Sequence, residues 1–256
     1  MKKINSADNA QFKSLLKLLH SSRERRLAGL SLLDGVHLLQ AYRARFGAPE
    51  QLIVSRSGAE LPEIKMFLQN DTAVLCLDDS LFKQLSSVAT PTGVIAVVKT
   101  PRLDTLPTLL NTCVMLEDVQ DSGNLGSILR SCAAAGVKQI FLSTHTVNAW
   151  SPRVLRAGMG AHFSLDIYER VDLIALARAF PGRVLATQLR ATRSVFNSNL
   201  TGTIALVFGN EGAGVSESLQ ACAHEAIAIP MSATTESLNV AAAAAVCLFE
   251  RVRQMG

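Results

Sequence analysis

The sequence predicts an α/β protein of two modules, the second built on a mostly parallel sheet. Short apolar runs alternate with stretches of helical periodicity along the chain. A segment with two prolines and little periodicity, Lys99 to Pro107, interrupts the series near Asp104. The turns after several second-half strands carry glycine and small polar residues, the setting in which parallel sheets bind ligands. The expected modules are residues 1–104 and 105–256.

At 256 residues, 48% hydrophobic and 18% charged, the composition is globular rather than disordered. The longest uncharged apolar run, Val240 to Phe249, is half the roughly 20 residues a bilayer needs, so no membrane span is expected. Lys2 and Lys3 lead into Asn5, Ser6 and Asp8 rather than an apolar stretch, so no secretory leader is expected. Five scattered cysteines with no Cys-x-x-Cys argue against a disulfide framework or a metal site and suit a reducing cytoplasm. The net charge of +4 is uneven: residues 1–104 carry 14 Lys/Arg against 10 Asp/Glu, and the remainder carries 11 of each. A positive field on one module suits a polyanion partner. Charge alone fits a solvated helix face better.

In the first module Phe12, Leu15, Leu16 and Leu19 recur with helical spacing behind Ser6 or Asp8 as N-cap. A helix over 36–46 follows, then a strand over 52–54, a helix over 61–68, a strand over 73–77 and a helix near 81–85. After the turn Thr90-Pro91-Thr92-Gly93 comes an apolar strand over 94–98. The second module reads as strand 112–116, helix 124–135, strand 139–143, helices 152–157 and 172–179, strands 183–186 and 203–208, a short helix 216–221, strand 226–229 and a long helix 236–253.

Three loops after strands stand out. In the first, Leu116 to Arg130, Gly123 and Gly126 allow close backbone approach and Asn124 can cap the helix that follows. Arg130 lies among Leu129, Ser131, Cys132 and Ala133. Such company predicts a partly buried arginine that needs an anion; a substrate group and a salt bridge to Glu117 or Asp118 serve equally. The second loop sets Gly209, Gly212 and Gly214 around Glu211. It is neither a Walker loop nor a dinucleotide fingerprint. Its carboxylate suits a neutral or cationic ligand, although an ordinary strand-to-helix turn reads the same way. In the third, Pro230 closes a strand, and Ser237 and Asn239 fall in the first turn of the last helix, able to cap it or face a ligand.

Taken together and in order, Asn124-x-Gly126-x3-Arg130, Phe208-Gly209-x-Glu211-Gly212 and Ile229-Pro230-Met231-x5-Ser237-Leu238-Asn239-Val240 resemble the three motifs of SpoU/TrmH-type RNA 2′-O-ribose methyltransferases of the SPOUT class. Leu33-Asp34-Gly35-Val36-His37 and Thr90-Pro91-Thr92-Gly93 are similar to the ribosomal-protein-like RNA-binding domain that many members carry. The resemblance implies a C-terminal sheet with a trefoil-knotted cofactor site, S-adenosyl-L-methionine as methyl donor, no metal, and a homodimer whose site is completed across the interface. It implies cofactor contacts from Gly209, Ile229, Pro230, Met231 and Leu238. It makes Arg130 the catalytic arginine, with Asn124, Glu211, Ser237 and Asn239 shaping the site. The acceptor it implies is the ribose 2′-hydroxyl of RNA, ribosomal RNA ahead of tRNA, and Lys17, Arg23, Arg25, Arg26 and Arg156 are the candidate phosphate contacts. Two departures stand out: Ala233 replaces a frequent glycine, and Gly158 a frequent serine. The competing readings are a non-catalytic RNA-binding or ribosome-assembly factor that kept the fold, and an enzyme acting on another adenosine-containing ligand.

Overall fold

A computed structural model of the chain describes residues 1–69, 73–232 and 237–256. The chain divides into two compact units, Met1–Pro101 with Trp150–Phe163, and Arg102–Ala149 with Ser164–Gly256.

The first unit runs β1 (Lys2–Ile4), α1 (Ala10–His20), α2 (Ser22–Ala28), β2 (Leu30–Asp34), α3 (Val36–Phe46), β3 (Gln51–Ser55), α4 (Pro62–Leu68), β4 (Ala73–Leu77), α5 (Asp79–Leu85) and β5 (Val94–Lys99). Its sheet has the order β1-β4-β3-β5-β2, parallel from β1 to β3 and antiparallel from β3 to β2. Phe12, Leu15 and Leu18 of α1 pack with Phe82 and Leu85 of α5 on Leu32, Ile53, Leu75 and Ile95. This covers one sheet face with aromatic and branched side chains worth about 1.5–3 kcal/mol each when buried. The N-cap of α1 is neither Ser6 nor Asp8: Asn9 Oδ1 accepts from the Gln11 and Phe12 N–H groups at 2.9 and 3.4 Å.

Three elements here have weak sequence signals. The β1 strand is three residues long. The β2 strand carries Ser31, whose buried hydroxyl lies 2.8 Å from Thr100 Oγ1, so its apolar run is broken by a residue satisfied elsewhere. The α2 helix is mostly charged, with no apolar stripe. Ser21 caps its start, and buried Arg25 sends Nη1 back to the Leu18 and Leu19 carbonyls at 2.8 and 3.1 Å.

The helix α7 (Pro152–Gly158), expected in the second module, packs on β2 in the first unit. Beside it the Phe163 ring meets Tyr42 and Phe46 edge-on, with centroids 5.5 and 6.0 Å apart.

The second unit runs β6 (Cys113–Leu116), α6 (Ser122–Ala134), β7 (Gln139–Leu142), β8 (Asp166–Tyr168), α8 (Leu173–Ala179), β9 (Arg183–Thr187), β10 (Arg193–Ser194), β11 (Ile204–Phe208), α9 (Glu217–Gln220), β12 (Glu225–Ala228) and α10 (Val240–Met255). All pairings in its sheet, ordered β10-β12-β9-β11-β6-β7-β8, are parallel. The chain moves outward from β6 to β8 and then fills the other side, where β11 enters between β9 and β6 and β12 between β9 and β10. Such a reversal of order opens a crevice at the carboxyl ends of the strands. The helix expected from residue 236 begins at Val240, and positions 233 and 236 lie outside the described residues.

Candidate active site

The carboxyl ends of β9, β11 and β12 converge on a cavity of about 350 Å³. It lies within the usual size range for small-molecule sites, about 300–1,000 Å³. Four of the five residues expected to hold a cofactor line it: Gly209, Ile229, Met231 and Leu238. Pro230 does not; it lines a neighbouring cavity of about 670 Å³ with Ile229, Met231 and Arg190. Glu211 and Ser237 line the first cavity as well.

The glycine loop is held by close backbone approach. A Cβ at Gly209 would come within 2.1 Å of the Gly214 carbonyl group, because Asn210 and Gly214 exchange backbone hydrogen bonds of 3.0 and 2.9 Å. The loop is also tied to the one after β6. Asn210 Nδ2 donates to the Asp118 carbonyl at 2.8 Å, while its Oδ1 accepts from the Gly212 and Ala213 N–H groups. Asp118 has a left-handed backbone, φ 55°, and its carboxylate accepts from Ser143 Oγ at 2.5 Å. Glu117 accepts from the Ser216 N–H and hydroxyl, both at 2.7 Å.

Glu211 is the centre of this network. It accepts from the Gln120 and Asp121 N–H groups at 3.2 and 3.0 Å and from Asn124 Nδ2 at 3.0 Å. Partial burial works against its charge, but these donors outweigh burial and hold the carboxyl below the usual carboxylate range. Asn239 Nδ2 in turn donates to Asn124 Oδ1 at 2.8 Å. Asn124, Glu211 and Asn239 are therefore brought together from three separate loops.

One helix cap differs from the expectation and one agrees with it. Asp121, not Asn124, caps α6, accepting from the Asn124 N–H at 2.8 Å. Asn124 thus sits inside the first turn with its amide free for Glu211 and Asn239. Asn239 caps α10 through the Ala241 and Ala242 N–H groups.

Arg130 is exposed, not partly buried. It falls on the solvent face of α6, whose buried stripe is Leu125, Gly126, Ile128, Leu129 and Cys132. Of the two readings of Arg130, the salt bridge to Glu117 or Asp118 does not form; those carboxylates accept from Ser216 and Ser143. Arg130 does not line the cavity of its own chain.

In the first unit Lys17, Arg23 and Arg156 are exposed and Arg26 partly so. Arg25 is withdrawn from the set of phosphate contacts: it is 6% exposed, and its guanidinium closes the carboxyl end of α1. The charge pattern could not reveal this, because a capping arginine and a solvated one look alike in sequence. Thr187, the last residue of β9, and Gln188 and Leu189 after it also line the cavity, and the sequence does not mark them. The strand-end rule that found the other loops applies to them, but no glycine marks the turn.

Residues 111–249 match the SpoU rRNA Methylase family, and residues 9–96 match the MRM3-like substrate binding domain. The chain belongs to the SpoU rRNA Methylase family. It is 32% identical to an uncharacterized tRNA/rRNA methyltransferase of Synechocystis sp., over 98% of this chain and 93% of that one. It is 29% identical to the 23S rRNA (guanosine(2553)-2′-O)-methyltransferase RlmP of Bacillus subtilis, over 97% and 98% of the two chains. The SpoU methyltransferase AviRb of Streptomyces viridochromogenes, solved with S-adenosylmethionine, superposes with a TM-score of 0.86 at 27% identity, covering 96% and 98%. The protein is a SpoU-type methyltransferase, and its cofactor is S-adenosylmethionine. The cavity fits that group: among the described lining residues the charged side chain is Glu211 and none is basic, which suits a cationic sulfonium better than a phosphate.

Proposed function

We propose that the protein methylates a ribose 2′-hydroxyl of ribosomal RNA in the cytoplasm, as a homodimer. The observation that carries this reading is that the second and third motif loops line one cavity and the first is bonded to both, through Asn124 to Glu211 and Asn239 to Asn124. S-adenosylmethionine supplies an electrophilic methyl group to an in-line displacement by the ribose oxygen. Gly209, Ile229, Met231 and Leu238 hold it, and Ser237 faces the same space. Glu211 and Asn239 orient Asn124 beside it. Arg130 offers an exposed guanidinium that orients phosphate and stabilises developing negative charge while water or phosphate takes the proton.

Two features support the dimer. Phe249, Val252 and Met255 of α10 are 49%, 39% and 57% exposed, an apolar stripe on a single helix. Arg130, on the helix α6 that packs against α10, stands outside its own chain's cavity and is available to a second copy. The entry of β11 and β12 between other strands supports the trefoil knot. RNA is gripped by the first unit through Lys17, Arg23, Arg26 and Arg156. The ribosomal acceptor rests on the RlmP relative and the family match. Five cysteines without a disulfide, four of them buried, suit a reducing compartment.

The test is methyl transfer from labelled S-adenosylmethionine to ribosomal RNA and to tRNA, with ribose methylation mapped in each. Arg130→Ala is expected to abolish turnover while S-adenosylhomocysteine binding by calorimetry is unchanged. Wild-type turnover in that variant removes Arg130 from the mechanism, and label in tRNA alone removes the ribosomal assignment.

A further inference from the structure

Two glutamines at the edge of the cavity form a directed chain of amides. Gln220 Nε2 donates to the Val215 carbonyl at 2.6 Å, and Gln188 Nε2 donates to Gln220 Oε1 at 2.6 Å. The direction is set at one end. A backbone carbonyl can only accept, so Gln220 turns its nitrogen to Val215 and its oxygen to Gln188. Gln188 must answer with its nitrogen, which leaves its own Oε1 without a partner among the described residues. The backbone under it is held too, since the Gln188 N–H donates to the Ile227 carbonyl at 2.9 Å.

Most other polar side chains lining the cavity are committed. Thr187 Oγ1 donates to the Val207 carbonyl at 2.9 Å, Asn210 is bonded at both ends, and Glu211 accepts three donors. Gln188 Oε1 is therefore an uncommitted acceptor of fixed polarity, whereas the Ser237 hydroxyl can give or take.

We propose that Gln220 is a positioning residue that sets the cavity to select an amino-purine. It orients Gln188 so that Oε1 accepts from the exocyclic amino group of an adenine ring. A purine with a carbonyl at that position would set oxygen against oxygen. Rotating Gln188 to relieve this would break its bond to Gln220. The inference rests on the cavity being the S-adenosylmethionine site.

The test compares S-adenosylhomocysteine with S-inosylhomocysteine, which carries the carbonyl, by calorimetry on the full chain. Wild type is expected to prefer the adenosine compound by about tenfold, the size of one hydrogen bond. In Gln220→Met the freed amide rotates, the inosine compound binds better, and the ratio falls toward one. Gln188→Glu in that background restores the preference, because a carboxylate only accepts. The ratio is internal to each variant, so general loosening of the cavity weakens both ligands alike and leaves it unchanged. An unchanged ratio in Gln220→Met overturns the inference. A wild type that binds neither compound overturns the reading of the cavity itself.

Discussion

Asn239 and Asn124, 115 residues apart, are joined by a hydrogen bond of 2.8 Å from side-chain amide to side-chain carbonyl. Each has a second duty: Asn239 Oδ1 caps α10, and Asn124 Nδ2 donates to Glu211. The start of the last helix, the start of α6 and the glycine loop are thus one polar network. Networks of this kind are rigid while every member is satisfied.

Asn239→Ala removes both the cap and the restraint on Asn124. A lost N-cap costs about 0.5–2 kcal/mol, so a lower melting temperature is expected in thermal unfolding. Asn239→Asp keeps the cap oxygens but cannot donate to Asn124. It is expected to keep most of the stability and lose methyl transfer; retention of full transfer would separate the Asn239–Asn124 bond from catalysis.

Gly209→Ala forces a Cβ onto the Gly214 backbone at 2.1 Å, where no flexible side-chain end can yield. Overpacking of this kind costs about 1–3 kcal/mol. Weaker S-adenosylhomocysteine binding is expected together with the stability loss, both read by calorimetry. Gly212→Ala, whose Cβ would meet only Asn210 Oδ1 at 3.6 Å, is expected to be far milder.

Glu250 accepts from Arg253 at 2.7 and 2.8 Å and from Gln254 at 2.8 Å, which lowers its carboxyl from 4.5 to about 2. The folded state therefore binds this proton less readily than the unfolded chain does. The stability it contributes is fully present above about 4.5 and is lost as the pH falls toward about 2. Urea titrations across that window are expected to show a shallower pH dependence for Glu250→Gln than for wild type.

Arg25 and Arg23 are two residues apart and are expected to behave oppositely. Arg25→Met leaves the Leu18 and Leu19 carbonyls without their donor and is expected to cost about 1–3 kcal/mol in denaturant unfolding. The slope of RNA affinity against salt should not change. Arg23→Ala is expected to leave stability within about 0.5 kcal/mol and to make that slope shallower by about one unit. Equal slopes for Arg23→Ala and wild type would take Arg23 out of the RNA contact.

The α/β class, the order of most strands and helices, and the three loops were legible in the sequence because they rest on local rules. Apolar runs such as Val94–Val98 make buried strands, and glycine or polar turns follow strand ends. Elements satisfied by distant partners were not legible. The Ser31 strand relies on Thr100 and the α2 helix on Arg25 reaching back to α1, while α7 was legible as a helix but not as part of the first unit. Hydropathy gives the first two a weak or misleading signal.

Sequence alone singled out Asn124, Glu211 and Asn239, through the likeness of three loops to a family's motifs. Tertiary structure decided what each one does. It made Asp121 the cap and left the Asn124 amide to Glu211 and Asn239, set Arg130 on the solvent face of α6, and turned Arg25 inward. A hydrogen-bonding group takes the nearest partner that satisfies it once water is excluded, and that partner is set by the packing of segments far apart in the chain.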